Sequence, residues 1–551
     1  MDILSSLATK NAEAEFTQQL RMLADAGASV IQVRTREVFR AVRAVRKAVL
    51  LEGHHYHEWN VVNGNREFTA STLLQEDTPG DNNLDLMAAL RRPQEALRDP
   101  EIVAAPQLRY YCFVQSQFWL NNNPIATHLL MTYAALLPAS NLRVILITPD
   151  QPLPEALADY AVTVRFAPPG HGELREALEL LLDNLEEPLV FTDKEKDALC
   201  YTAAGLSKDQ FDLYVSQAIV EGFNSADGVT VDGLISSISR GKTDIVNKNN
   251  LLELYTTESM QAVAGLDNLK HWVRKRIHCF SDEARAFGVE PPKGIILLGI
   301  PGTGKTLFAK SVAKEFGIPL VRLDFGRMFG SLVGQSEQQI RTALQMASDM
   351  APVVLFCDEA EKGLQGTSSG AGDSGTSSRV LGTFLTWLQD NKAPVFTVMT
   401  TNNISHLPPE LTRRGRFEAI FAVGLPTARD RLAALQIHLH KRGWDPAQFK
   451  ALELQSIAKN DAVDFTPAEI ESAVKDALVE AFAQGEPLQL QHLRAALAQI
   501  TPLARSHAEQ IAAMLEWAKT HALPASLPET MPGAEPVNGP RARRRIRTTL
   551  N

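Results

Sequence analysis

Short apolar runs alternate with longer amphipathic stretches through the first 190 residues of the chain. The runs, at residues 30–33, 57–62, 110–115, 144–148 and 162–166, are typical of strands. The stretches between them have helical periodicity, and strands that alternate with helices predict a parallel sheet covered on both faces. The pattern then becomes helical up to about residue 250, which predicts a separate helical segment.

The same alternation returns in the second half of the chain. Strands are predicted at residues 295–298, 320–323, 353–357, 395–400 and 419–423. Beyond Pro426 the pattern predicts helices again, at residues 430–441, 467–484 and 490–498. The chain is therefore expected to contain an α/β domain with a helical segment, twice, followed by a tail.

Composition agrees with several globular domains and excludes few functions. The 551 residues are 45% hydrophobic and 22% charged, and at roughly 150 residues per domain three to four units are expected. The net charge of −9 gives no support for a general nucleic-acid or anionic-membrane binder. The four cysteines are scattered, which argues against a disulfide framework or a zinc ribbon.

One uncharged stretch, residues 110–142, is long enough to suggest a membrane span. Asn121 to Pro124 interrupt it, and the apolar remainder at 125–137 is too short to cross a bilayer. The N-terminus also lacks the basic and apolar regions of a secretory signal. We therefore expect no membrane partner and a cytoplasmic location.

A glycine-rich turn after the strand at 295–298 carries the strongest chemical signal. The turn comprises Gly299, Ile300, Pro301, Gly302, Thr303, Gly304, Lys305 and Thr306, it matches GxxxxGK[ST], and a helix follows from Leu307. Backbone N–H groups at such a helix N-terminus bind phosphates. Lys305 would contact the β- and γ-phosphates, and the Thr306 hydroxyl would bind Mg²⁺.

Two carboxylates directly follow the apolar strand at 353–357. Asp358 would complete the Mg²⁺ shell, and Glu359 would orient the attacking water. Ligands bind at the carboxyl edge of a parallel sheet, which is where this strand would deliver both side chains. Taken alone, the pair could equally be an acidic turn, but its distance along the chain from Lys305 favours a catalytic role.

Four further segments resemble those of AAA ATPases and occur in the order of that superfamily. Residues 396–403 resemble the sensor-1 strand, and residues 411–417, LTRRGRF, resemble the second region of homology. Residues 263–265 resemble the segment that packs on adenine, and residues 430–438 the first lid helix. The resemblance implies a P-loop AAA module, a parallel sheet plus a helical lid, that hydrolyses ATP with Mg²⁺.

The same resemblance assigns roles to individual residues. Asn402 would sense the γ-phosphate, and Arg413 and Arg416 would reach the nucleotide of a neighbouring subunit as arginine fingers. The implied nucleotide contacts are Gly299, Pro301, Gly302, Thr303, Gly304, Lys305, Thr306, Leu307, Val263, Ala264, Gly265, His438 and Ala468. Because fingers supplied in trans leave a monomer's site incomplete, the resemblance implies a homo-oligomeric ring, a hexamer.

Two positions depart from the AAA pattern. No arginine lies at residues 466–469, where a sensor-2 residue would be, and Pro467 replaces the usual glycine. Leu332, Val333 and Gly334 occupy the first pore-loop position, where many unfoldases have an aromatic side chain, so a weaker hold on a client is expected. The Gly/Ser-rich stretch at 366–377 is either a second pore loop or a connection without a role.

A closer resemblance extends over residues 372–421. This run is very similar to the hypothetical chloroplast reading frame forty-six family of plastids and cyanobacteria, which also has bacterial relatives. Further agreement lies at residues 251–255, 263–273 and 501–518, and a weaker similarity continues upstream. The activity of this family is poorly defined, so the resemblance implies the reaction more closely than the biological role. For a plastid relative, it implies the stroma as the equivalent of the cytoplasmic location.

The N-terminal half has the strand order of a P-loop domain without its chemistry. Residues 33–37, VRTRE, stand where a phosphate loop would be and contain no glycine, and the strand at 110–115 ends in Gln115 and Ser116 instead of two acids. We interpret this half as a degenerate AAA-like α/β domain with its own helical segment; an unrelated α/β domain is the alternative.

The chain then divides into five predicted parts. They are 1–192, the degenerate α/β domain; 193–254, its lid-like segment; 255–425, the AAA large subdomain; 426–505, the helical lid; and 506–551, a C-terminal helix with a basic, disordered tail.

Three functions remain open at the level of the sequence. The favoured one is a ring-forming ATPase that remodels a macromolecular client, with a protein preferred. The second is a slow nucleotide-dependent switch or assembly scaffold that does not translocate. The third, nucleic-acid remodelling, rests on the basic tail from Arg541 to Arg547, which a disordered solubilising tail explains as well.

Overall fold

The computed structural model of the protein describes residues 12–527 with short gaps. The gaps are residues 74–77, 121–122, 150–152, 187, 226–227, 248, 250, 281–283, 285–286, 331–334, 365–373, 404–408 and 414. The chain divides into two compact units, whose main segments meet between residues 248 and 249. Among the described residues, no helix is both long and apolar enough to cross a membrane.

A six-stranded sheet forms the centre of the first unit. Its strands are β1 (Val30–Arg34), β2 (His55–Asn60), β3 (Gly64–Phe68), β4 (Arg109–Val114), β5 (Leu142–Thr148) and β6 (Val162–Arg165). Their order is β3-β2-β4-β5-β1-β6, and all pairs are parallel except β2 with β3. The helices of this part are α1 (Ala12–Asp25), α2 (Val38–Leu51), α3 (Leu86–Ala96), α4 (Pro100–Ala104), α5 (Gln117–Leu120), α6 (Pro124–Leu136) and α7 (Glu155–Ala158). All seven residues of β5 are buried, as expected for a strand covered on both faces.

Strand β3 is an element that the apolar pattern did not predict. Its sequence, GNREF, lacks apolar alternation, yet Asn65 and Arg66 are buried. Arg66 and Arg46 both pair with the buried carboxylate of Glu58, and the Arg46 guanidinium lies 3.7 Å from the centre of the Phe68 ring. Paired charges therefore bring a polar strand into the core, where unpaired charges would be strongly unfavourable.

Four helices pack around one apolar core after β6. They are α8 (His171–Asp183), α9 (Asp193–Thr202), α10 (Lys208–Phe223) and α11 (Val231–Asn247), and they form the lid of the first unit. The first turns of α9 and α10 are capped by Thr192 and Ser207, whose side chains accept hydrogen bonds from backbone N–H groups. Helix α8 shares the core of this lid through Leu174 and Leu178, so the lid begins with α8 in the structure.

The second unit has a seven-stranded sheet. Its strands are β7 (Leu252–Tyr255), β8 (Gly294–Gly299), β9 (Leu320–Leu323), β10 (Val353–Cys357), β11 (Val395–Thr401), β12 (Ala419–Val423) and β13 (Leu523–Pro524). Their order is β13-β12-β8-β11-β10-β9-β7, with β7 antiparallel to β9 and the other pairs parallel. The helices of this part are α12 (Asp267–Arg276), α13 (Lys305–Phe316), α14 (Gln335–Asp349), α15 (Ala360–Leu364) and α16 (Ser374–Asp390).

The two sheets share one topology. When their five main parallel strands are numbered along the chain, both have the spatial order 5-1-4-3-2. In both, the helix that follows the first of these strands, α2 or α13, begins directly after a loop at the carboxyl edge. This confirms the expected fold class, a P-loop module preceded by a second α/β domain with the same architecture and its own helical segment.

The lid of the second unit is a cluster of helices with a single core. It contains α17 (Ala428–His440), α18 (Ala451–Ser456), α19 (Pro467–Gln484) and α20 (Leu490–Gln499). Two more helices follow, α21 (Leu503–Ser506) and α22 (Ala508–His521). Ile511 and Met514 of α22 pack against Leu298 and Ile300, so the predicted C-terminal helix returns to the strand that leads into the glycine-rich loop. The exact domain boundaries given above stay predictions.

Candidate functional site

The glycine-rich loop joins β8 to α13 and faces the lid. Gly302 and Gly304 have φ angles of 80° and 91°, in the left-handed region that favours glycine. A Cβ atom on Gly302 would lie 2.9 Å from the Thr466 hydroxyl, and the Ala468 N–H donates to the Gly302 carbonyl at 3.2 Å. The loop must therefore have glycine at position 302 because the first turn of α19 lies so close.

Lys305 lies at the start of α13 and bridges the loop to strand β11. Its Nζ donates to the carbonyls of Gly299 and Ile300, at 2.6 and 2.9 Å, and to Asn402 Oδ1 at 2.8 Å. Burial lowers the pKa of this ammonium to about 8, although the nearby carboxylates of Glu361, Asp358 and Glu359 raise it. A buried cation is thus held among acceptors at the floor of the cleft.

The two expected metal ligands lie together. Thr306 Oγ1 donates to Asp358 Oδ1 at 3.4 Å, across the gap between α13 and the end of β10. Among the described residues, no group of three or more His, Cys, Asp or Glu side chains is placed to hold a metal. One carboxylate and one hydroxyl fit Mg²⁺, which takes hard oxygen ligands and completes its shell with water and substrate phosphates.

Glu359 lies beside Asp358 in an unusual backbone conformation. Its φ angle is 45°, which is uncommon for a residue with a side chain and occurs most often at functional sites. Its carboxylate is half exposed, accepts from Asn402 Nδ2 at 3.3 Å and pairs with Lys362. Asn402 therefore contacts both Lys305 and Glu359, and it links the cation of the loop to the expected base.

A cleft of about 320 Å³ connects these groups to the lid. Its lining is Pro301, Gly302, Gly304, Lys305, Thr306, Leu307, Asp358, Glu359, Thr400, Asn402, His438, Pro467, Ala468 and Glu471. Its volume is at the lower end of the usual range for ligand pockets. Residues from the loop, two strand ends and two lid helices thus meet in one place, as the motifs predicted.

Two protein-family patterns and several known proteins match this chain. The AAA family pattern, "ATPase family associated with various cellular activities", matches residues 295–425, and the pattern "SpoVK-like AAA ATPase, N-terminal domain" matches residues 16–166. The AAA domain-containing protein ycf46 of Pyropia yezoensis is 32% identical over 91% of this chain and 97% of its own length. The chain belongs to the ycf46 family of AAA domain-containing proteins.

Other similar proteins match all or part of this ycf46 family member. The ycf46 protein of Guillardia theta is 30% identical over 91% of this chain and 95% of its own length. Protein CdcH of Halobacterium salinarum is 31% identical, but over 44% of this chain and 33% of its own length. The two ycf46 proteins therefore match nearly the whole chain, whereas CdcH matches less than half of it.

Several predicted residues of this ycf46 family member do not line the cleft. Val263 to Gly265 lie beside the lid, where a Cβ on Gly265 would meet the carboxylate of Asp430 at 2.5 Å. Thr303 donates to the Ile300 carbonyl inside the loop. Arg413 is exposed, and Arg416 donates to the Glu410 carbonyl.

Other predictions fall on parts of the chain that the structure does not describe. Leu332, Val333 and Gly334 of the expected pore loop lie outside the described residues, as do the arginines at 541–547. Of the stretch at 366–377, residues 374–377 belong to α16 and the rest is outside the described residues.

Three polar residues of the site were not predicted from the sequence. The Thr400 hydroxyl donates to the Asp358 carboxylate and accepts from the Glu359 N–H at the end of β10, and Glu361 accepts from the Asn402 N–H at 3.0 Å. Glu471 lines the cleft from α19, three residues after Ala468 and hence on the same helix face.

The two lid residues Glu471 and His438 have shifted pKa values. Burial opposes the ionisation of Glu471, but hydrogen bonds from Lys475 and Arg442 lower the pKa of Glu471 to about 2. Opposite it, burial lowers the pKa of His438, which favours the neutral imidazole near neutral pH.

The corresponding loop of the first unit is closed by a carboxylate. Between β1 and α2, Glu37 accepts from the Lys208 N–H at 2.7 Å and from Arg40 Nε at 3.0 Å. Lys208 is the first residue of α10, the third lid helix, just as Ala468 lies in the first turn of the third lid helix of the second unit. Burial raises the pKa of Glu37, while Arg40 lowers it. In the first unit, the start of lid helix α10 therefore binds a carboxylate of the chain itself, that of Glu37.

Proposed function

We propose that this chain is a Mg²⁺-dependent ATPase whose second unit hydrolyses ATP. One observation carries the proposal: Lys305, Thr306, Asp358, Glu359 and Asn402 come from three separate elements and meet in a single cleft. Bound Mg²⁺ would be held by Thr306 and Asp358 and would neutralise charge on the phosphates. The AAA family match supports ATP binding.

The side chains divide the work of hydrolysis between them. Backbone N–H groups at the start of α13 and the Lys305 ammonium would hold the β- and γ-phosphates. Glu359 would orient a water for attack on the γ-phosphate, while Asn402, bonded to both Lys305 and Glu359, would keep the base in register with the phosphate. The sheet edge, the loop and the lid together would exclude bulk water from this step.

We further propose that the active form is a homo-oligomeric ring, a hexamer, that remodels a protein client. Arg413 is exposed and therefore able to reach a neighbouring subunit, and Arg416 lies three residues further along the same segment. A planar cation supplied from outside the cleft would complete charge neutralisation at the γ-phosphate.

The first experiment measures ATP turnover per chain as a function of protein concentration. Turnover should rise with concentration in the wild type and fall by roughly 10²- to 10⁴-fold in Glu359→Gln, which keeps the shape of the side chain but removes the base. Arg416→Ala should lower turnover by 10³-fold or more if the finger acts in trans, by analogy with other finger arginines (~10³ to 10⁵-fold). Arg429→Ala, which removes another exposed arginine, is the matched control and should be silent.

Two results would change the proposal. A wild type that hydrolyses no ATP would end it. Turnover that is independent of concentration, with Arg416→Ala equal to Arg429→Ala, would refute the trans fingers and favour the nucleotide-dependent switch over the remodelling ring.

A further inference from the structure

We propose that Thr400 is a positioning residue of the ATPase site, since its single hydroxyl holds both Asp358 and Glu359 in their working positions. This inference rests on the proposed function, because it assigns a role within the same site. Thr400 lies on β11, two residues before Asn402, and its side chain lines the cleft. It does not itself act on the phosphate.

The geometry places Thr400 level with the two acids. Strands β10 and β11 are parallel neighbours, and Cys357 is opposite Met399, so the next residues along both strands, Asp358 and Thr400, come side by side. Thr400 Oγ1 donates to Asp358 Oδ1 at 2.6 Å and accepts from the Glu359 N–H at 2.9 Å. The whole residue is buried, so water does not compete for these hydrogen bonds.

The direction of both hydrogen bonds is fixed by chemistry. A hydroxyl has one proton to donate and lone pairs to accept with, whereas a backbone N–H can only donate. The Glu359 N–H can only donate, so the Thr400 oxygen accepts this hydrogen bond through a lone pair. The Thr400 O–H then donates its hydrogen bond to the Asp358 carboxylate. A hydrogen bond to a charged carboxylate is also stronger than one between neutral groups. One side chain therefore sets two neighbouring residues by two different contacts.

Each contact addresses a separate requirement of the site. Glu359 has a φ angle of 45°, a conformation that persists only when its surroundings enforce it, and the hydrogen bond from its N–H to Thr400 does so. Asp358 Oδ1 also accepts from the Thr306 hydroxyl at 3.4 Å, so Thr400 orients the carboxylate toward its partner metal ligand. Losing Thr400 should therefore impair both Mg²⁺ binding and the orientation of the base.

The test compares Thr400→Val with Thr400→Ser and with a control on the same strand. Valine has nearly the shape of threonine but no hydroxyl, and serine retains the hydroxyl. The control is Thr397→Val: Thr397 is equally buried, three residues earlier on β11, and its hydroxyl has no hydrogen-bond partner within the described part of the chain. The control thus repeats the change from threonine to valine without breaking a contact.

Two readouts are measured on the full chain. The first is kcat and KM for ATP over a range of Mg²⁺ concentrations. The second is the affinity for ADP with Mg²⁺ and with EDTA, which does not depend on turnover. In Thr400→Val, kcat should fall roughly 10- to 100-fold, the range found when a residue that orients a metal ligand is lost. The Mg²⁺ concentration for half-maximal turnover should rise, and the gain in ADP affinity given by Mg²⁺ should shrink, while affinity in EDTA stays unchanged.

The variants separate positioning from stability. Thr400→Ser should restore most of kcat and of the Mg²⁺ effect, and Thr397→Val should match the wild type. If Thr400→Val does not fold, Thr400→Ala takes its place in the same comparisons. A Thr400→Val protein that matches Thr397→Val in both kcat and the Mg²⁺ effect would overturn the role of Thr400 and leave the ATPase proposal standing. If the wild type shows no turnover, the ATPase proposal fails, and the Mg²⁺ effect on ADP affinity still decides whether Thr400 positions Asp358.

Discussion

Lys242 shows how strongly burial acts on a single residue. It lies in the lid of the first unit, is almost completely inaccessible, and its ammonium donates to the Thr202 carbonyl at 3.1 Å. Burial lowers the pKa of Lys242 to about 7, because a charge is poorly solvated in the apolar interior. The folded chain therefore releases a proton that the unfolded chain, with a lysine pKa of about 10.4, keeps until higher pH.

The sign of the resulting pH dependence is fixed. Between pH 7 and about 10 the unfolded chain binds more protons than the folded chain, so the free energy of unfolding rises with pH in this window. We expect Lys242→Met to stabilise the lid at pH 7, and we expect its advantage over wild type to shrink by pH 9. Denaturant titrations of both proteins at pH 7, 8 and 9 measure the difference. An advantage that is constant across this range would show that Lys242 is not deprotonated on folding.

At the scale of elements, the first turn of α19 has two tasks. Thr466 caps the helix, accepts from the Glu469 N–H and donates to the Glu469 carboxylate. The same turn brings the Ala468 N–H to the Gly302 carbonyl. Helix α9 of the first unit has the same kind of cap, formed by Thr192 and Glu195, but exposed. The two caps therefore have the same hydrogen bonds, but the cap of α19 lies beside the glycine-rich loop and the cap of α9 is exposed.

This pair gives a prediction for the lid. Thr466→Ala should lower the free energy of unfolding by about 1 kcal/mol, as for other lost helix caps, and should also weaken nucleotide binding several-fold. Thr192→Ala should lower stability to a similar or smaller degree and leave nucleotide affinity unchanged. Thermal unfolding and binding of a fluorescent ADP measure the two effects. Equal nucleotide affinity in both variants would show that the cap of α19 supports the helix alone.

The sequence predicted the centre of the site better than its surroundings. Lys305, Thr306, Asp358, Glu359 and Asn402 were found because their motifs encode a loop or a strand end and the chemistry together. Thr400 was not predicted as a site residue because a buried threonine within an apolar strand looks like any β-branched core residue. Strand β3 was not predicted because the contacts that bury its polar residues come from other parts of the chain. Residue type reveals local geometry, whereas a partner across the fold leaves no local pattern.

At the scale of the whole molecule, two units with one strand order have different loops. The loop of the second unit is rich in glycine, whereas in the loop of the first unit the Glu37 carboxylate accepts a hydrogen bond from the lid residue Lys208. A phosphate placed there would face the Glu37 and Glu173 carboxylates, both bonded to Arg40, and would be repelled. The first unit should therefore keep its lid in place without nucleotide.

The corresponding prediction concerns stoichiometry. Glu359→Gln, which should bind ATP without hydrolysing it, is expected to bind one nucleotide per chain, and Lys305→Ala should abolish most of that binding. Equilibrium dialysis with labelled ATP counts the sites directly. Two sites per chain, or one that survives Lys305→Ala, would place a nucleotide in the first unit and contradict the role given to Glu37.

The short strand β13 has a consequence for solubility. It pairs with β12 through Leu523 and Pro524, opposite Phe421 and Ala422, and so covers an edge of the sheet. Proline has no N–H to offer, so a further strand cannot easily add beyond it, and open sheet edges are where proteins begin to aggregate. The segment after residue 506 thus protects this sheet edge from pairing with a strand of another copy of the protein. A chain shortened there would expose both the edge of β12 and the apolar surface that α22 covers.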